Sequence, residues 1–130
     1  MSSDGLFAGI EIVKSIGGVG LDEVAKAESD LDVTFSDEYK DYLIEYGEAT
    51  CLGHELTGIC SNNRLNVVDV TEDAKQNGYH VPDGYYAIED IHIDSMVFFQ
   101  NAKGEIYSIQ PGNEPIFQYE SLRDYLSSTV

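Results

Sequence analysis

The sequence predicts a single α+β domain, with a mainly antiparallel sheet of about five or six strands flanked by helices. Three observations carry this. Apolar residues recur at helical spacing before Gly47, short β-rich runs broken by glycine and proline turns follow Gly78, and one more helical stretch comes after them. At 130 residues, roughly two-thirds of the unfolded surface can be buried, enough for one core without staples. Residues 1–130 therefore read as one domain with no internal repeat.

The elements follow in order. Leu6, Ile10 and Val13 have helical spacing, with Ile12 and Ile16 widening the stripe, which predicts a helix over 4–16. Gly17, Gly18 and Gly20 turn the chain; they lack both the GxGxxG spacing and the Lys-Ser/Thr of a phosphate-binding loop. A helix-hinge-helix unit spans 21–47. In it Val24, Ala27 and Leu31 form one buried stripe, while Leu31, Val33 and Phe35 alternate with Asp32 and Thr34 as an extended segment. Ser36 caps the second helix, Asp37 and Glu38 suit its dipole, Tyr39, Tyr42, Leu43 and Tyr46 form its apolar face, and Gly47 ends it.

Strands and one inserted helix occupy 55–119. Val67, Val68, Val70 and Ala74 lead to Gly78, with Pro82 beyond, as a helix does. Pro82, Asp83 and Gly84 turn into an aromatic strand at Tyr85 to Ile88. Met96 to Gln100 and Glu105 to Ile109 form a hairpin around Asn101 to Gly104, and Pro115 to Tyr119 is the last strand. A C-terminal helix over 121–128 is capped by Ser121, with Asp124 as its reciprocal partner.

Charge narrows the function. Seven Lys plus Arg against 24 Asp plus Glu give a net charge of −17. Such a surface repels phosphate, which argues against direct nucleic-acid binding and against anionic membranes, and it favours fast encounter with a basic protein. Two cysteines are too few for a secreted disulfide framework. No signal-peptide pattern or apolar run of about 20 residues occurs, so the expected setting is the cytoplasm.

Candidate chemistry is sparse. Cys51, His54 and Cys60 are the candidate metal ligands, with His80 or His92 as a possible fourth, but no CxxC pair supports a zinc site. A cysteine nucleophile with His54 or His80 as base would sit among negative charges that disfavour the thiolate. Glu89, Asp90 and Asp94 bracket His92 without the pattern of a calcium loop, and the chain has no Trp for a sugar-binding cleft. Tyr39, Tyr42 and Tyr46 read as core because they share the helix's one apolar face. The expectation is a non-enzyme, with no cofactor and no metal.

The acidic helix, the hinge, the xxYxxYLxxYG helix, the VTEDAKxxGYxVPDGYYAI block and the closing SLRDYL helix together resemble the SUKH superfamily, also called Smi/Knr-like. The likeness runs from about Leu21 to Leu126. It departs at the hinge, where the family's usual Leu-Pro is Phe35-Ser36. The family is named for yeast cell-wall-synthesis regulators and includes many bacterial immunity proteins that neutralise toxins, often nucleases. The resemblance therefore implies a SUKH-like fold and an antitoxin that binds a polymorphic toxin domain, acting as a monomer or weak dimer. The acids expected to meet the partner, placed at helix and strand ends, are Glu45, Glu48, Asp69, Glu72, Asp73, Glu89 and Asp90. A regulatory scaffold like the yeast relatives and a small-ligand or metal protein built on Cys51, His54 and Cys60 are the alternatives.

Overall fold

The computed structural model describes residues 14–51 and 53–128. Its elements are β1 (Lys14–Ser15), α1 (Leu21–Leu31), α2 (Asp37–Tyr46), β2 (Ala49–Cys51), β3 (His54–Glu55), α3 (Val67–Gln76), β4 (Tyr86–Asp90), β5 (Val97–Gln100), β6 (Ile106–Ile109), β7 (Ile116–Tyr119) and α4 (Leu122–Ser127). The fold is α+β and every strand pair is antiparallel. The strands divide between two sheets, β1-β2-β3 and the meander β4-β5-β6-β7. Thr57 joins them by donating its N–H to the Ile88 carbonyl at 2.8 Å.

Most of the helix expected over 4–16 lies outside the described residues. Its end is corrected: Lys14 and Ser15 form a strand opposite Thr50 and Ala49. Pairing continues as Ile16 donates its N–H to the Glu48 carbonyl at 3.2 Å. Gly17 and Gly18, poor helix formers, follow at once and let the chain turn. Gly18 packs directly on the end of α2, where a Cβ would collide with the Ile44 carbonyl.

Local chemistry explains the helices. Val24, Ala27 and Leu31 are the buried face of α1, which ends with Asp32 in the left-handed conformation. That break interrupts the expected extended hinge. Glu28 reaches across it, its Oε2 accepting the Phe35 N–H at 2.8 Å, so that Leu31 and Phe35 both enter the core. Ser36 caps α2 by accepting the Tyr39 N–H at 3.0 Å. Gly47 terminates it at φ 71°, with its N–H on the Leu43 carbonyl.

The buried face of α2 carries phenols, and a buried hydroxyl needs a partner. Tyr39 meets the Thr57 hydroxyl at 2.8 Å, and Tyr42 donates to the Thr57 carbonyl at 2.7 Å while accepting the Ala49 N–H at 2.9 Å. Tyr86 accepts the Ser36 N–H at 2.9 Å and donates to Gln100 at 2.8 Å. Burial pushes the Tyr39, Tyr42 and Tyr86 phenols well above their ordinary range. Tyr46 is only half-buried.

The four-stranded sheet has two apolar faces. One buries Tyr86, Ile88 and Ile106 against α1, α2 and α4; the other buries Ala87, Val97, Phe99 and Ile109 against Ala74 of α3. At the β4 edge, Ala87 donates its N–H to the Thr71 hydroxyl at 2.8 Å and its carbonyl accepts the Thr57 hydroxyl at 2.8 Å. Together with the Thr57–Ile88 bond, these close that edge. Beyond β7, α4 begins on a long-range cap. The Glu38 carboxylate accepts the N–H groups of Leu122 at 2.7 Å and Arg123 at 3.0 Å, alongside the local Ser121 cap on Asp124.

Candidate partner-binding surface

Helix α3 positions the acids that come together. Val67, Thr71 and Ala74 press it onto the sheet, and Asn66 caps it by accepting the Val68 N–H at 2.9 Å. Asp69 and Asp73, one turn apart, therefore share an exposed side. Asp90 ends β4, and its Oδ1 accepts the His92 N–H at 2.9 Å where the chain turns through a left-handed His92 at φ 58°. Asp69, Asp73 and Asp90 line one groove of about 430 Å³ with Asn63, Arg64, Val70 and His92. Asp69 also borders a second groove of about 300 Å³ between α1 and α3, which adds Glu23 and Asp30, the latter paired with Lys26 at 2.9 Å.

The other expected acids do not join this surface. Glu45 is exposed on α2 and lines neither groove, and Glu72 is half-buried. Glu48 and Glu89 are corrected: they are only 4% and 5% exposed. Glu48 sits where the chain crosses Gly58 so closely that a Cβ there would strike the Gly47 carbonyl. Glu89 is turned inward by a β-bulge. Ala87 pairs with Phe99 and Glu89 with Phe98, leaving Ile88 as the extra residue. Regular alternation would have placed position 89 on the α3 face; the bulge moves it to the other.

There Glu89 becomes a closed link. Its Oε1 lies 2.6 Å from His54 Nδ1 and accepts the Tyr125 phenol at 2.6 Å, while Oε2 accepts the Glu55 N–H at 3.0 Å. The His54 and Tyr125 rings pack at 4.8 Å, and β3, β4 and α4 are tied together. Burial, then the Glu89 charge, pushes the Cys51 thiol up to about 11, and Cys60 is raised mainly by burial, so both are protonated thiols at neutral pH. Among the described residues no group of three or more His, Cys, Asp or Glu is arranged to hold a metal ion, so Cys51, His54 and Cys60 do not converge.

Sequence reasoning missed Arg64 and weighed His92 only as a possible metal ligand or as a position between acids; both enter the groove from loops that no periodicity marks. It also missed an open aromatic row. Register places Ala87, Phe99, Tyr107 and Phe117 on one sheet face, and α3 covers its β4 side. The alternation of Ile106 and Tyr107 was the available signal. Among the described residues no helix is long and apolar enough to cross a membrane. A family model described as SMI1-KNR4 cell-wall matches residues 3–130. No curated protein matches the chain.

Proposed function

The chain belongs to the SUKH family, described as SMI1-KNR4 cell-wall, and from that premise we propose that it is a non-enzymatic immunity protein of the cytoplasm. It binds a basic toxin domain, a nuclease in this reading, and neutralises it. The observation that carries the proposal is the meeting of Asp69, Asp73 and Asp90 on one groove in a protein of net charge −17. A nuclease presents a basic surface to its phosphate substrate, so an acidic inhibitor can cover that surface while itself repelling nucleic acid. Immunity members of the family supply the precedent for a toxin as partner; charge supplies the sign of its surface.

Co-expression with the toxin domain encoded beside its gene, followed by calorimetry on the purified pair, tests the proposal. Cell survival and a stable one-to-one complex are expected. A folded protein that neither protects nor binds overturns it.

A further inference from the structure

Helix α3 covers only part of its sheet face. Ala87 and Phe99 are buried beneath it, whereas Tyr107 is half-buried and Phe117 is 49% exposed on the same register row. The Tyr85 and Tyr107 rings meet edge-on at 5.2 Å, and Tyr107 and Phe117 at 5.6 Å. Three rings are thus held in successive contact, two of them on strands, so that ordering them on binding costs little further entropy. Exposed aromatic clusters of this kind are the usual anchors of protein interfaces.

We propose that Tyr85, Tyr107 and Phe117 are a docking surface for the arginine and lysine side chains of a basic protein partner. This rests on the reading of the chain as a binder of a basic protein, and it adds a second contact region to the acidic groove. Charge selects the occupant. Aromatic faces attract cations, and the Glu105 carboxylate stands beside the row: Asn101 Nδ2 donates to Glu105 Oε1 at 2.9 Å and to the Tyr85 hydroxyl at 3.4 Å. A guanidinium lying on the Tyr85 end of the row meets the Glu105 carboxylate at its margin. A second copy would bring another net charge of −17 and the same carboxylate to the contact. Nucleic acid, whose bases also stack on aromatic rings, is repelled by that charge.

The test is the affinity for the toxin domain named above of three proteins: the wild type, the Tyr107→Ser/Phe117→Ser double variant, and Tyr107→Phe. The double variant is expected to weaken binding at least about tenfold, mainly through faster dissociation. Tyr107→Phe keeps the ring face and is expected to stay within about twofold. Melting curves check that each variant is folded, and Phe117→Ser alone replaces the double variant if the latter is not. Wild-type binding with unchanged affinity in the folded double variant overturns this proposal and leaves the antitoxin reading intact. A wild type that neither binds nor protects overturns both. A wild-type dimer in sedimentation that the double variant loses assigns the row to a second copy and also overturns it.

Discussion

The phenol of Tyr125 donates to Glu89 Oε1 at 2.6 Å, fastening α4 to the bulged strand of the larger sheet. The same carboxylate serves His54 and the Glu55 N–H. Glu89→Ala leaves the buried Tyr125 hydroxyl and His54 Nδ1, and the partly buried Glu55 N–H, without this acceptor, and an expected loss of about 3 kcal/mol follows. Tyr125→Phe removes one bond and keeps the ring, at about 1–2 kcal/mol. Urea titration of the two variants measures both. A Glu89→Ala protein as stable as wild type would mean that the cluster contributes nothing net.

Buried phenols make the protein sensitive to alkali. Tyr39, Tyr42, Tyr86 and Tyr125 are all raised by burial, and Tyr125 further by the Glu89 charge. The folded state holds these protons when the unfolded chain has released them. Their contribution is therefore intact below the unfolded value of about 10 and declines as pH rises above it, by up to about 1.4 kcal/mol per pH unit for each phenol. The Cys51 thiol, at about 11, begins the same loss earlier, from the ordinary thiol value of about 8.5. Ultraviolet titration is expected to show these four phenols ionising together with unfolding.

Two glycines are expected to resist substitution because backbone, not a movable side chain, occupies the space. A Cβ on Gly18 meets the Ile44 carbonyl, and one on Gly58 meets the Gly47 carbonyl. Gly18→Ala and Gly58→Ala are each expected to cost at least about 2 kcal/mol. Gly53→Ala meets no atom of the described residues within 4 Å, although its φ of 81° adds strain. Thermal melts of the three variants should therefore place Gly53→Ala above the other two.

Electrostatic steering predicts a kinetic signature for complex formation. Asp69→Asn/Asp73→Asn is expected to slow association several-fold with little change in dissociation, and added salt is expected to do the same to the wild type. Glu45→Gln, at a position that lines neither groove, is expected to change neither rate by more than about twofold. Stopped-flow mixing across a salt series measures these rates, and a salt-independent association rate would rule out steering.

Features fixed within a few residues were legible in the sequence. Ser36, Gly47 and Ser121 begin or end helices as their local chemistry dictates, and the β5–β6 hairpin follows from its Asn101–Gly104 turn. Contacts that depend on distant partners were not. β1 exists because Ala49 and Thr50 pass beside Lys14 and Ser15, and the Glu38 cap of α4 spans 84 residues. Glu89 defeated pattern reading for another reason: the extra residue at Ile88 reverses the parity on which strand alternation rests. Of the expected contact acids, Asp69, Asp73 and Asp90 converge, because helix spacing and a strand end set them there.

The closed edge of β4 limits how copies of this protein can associate. With Thr57 and Thr71 occupying the main-chain groups of Ala87 and Ile88, strand addition to the larger sheet is left to β7. A sheet with one usable edge can join the same edge of a second copy in a two-fold pair, but neither copy of this sheet then has an edge left for further strand addition. Proline at position 115 and the extra residue at Gln118 shorten even that edge. The threonine pair thus terminates extension of the larger sheet at β4, a block that net charge alone would provide only at low salt.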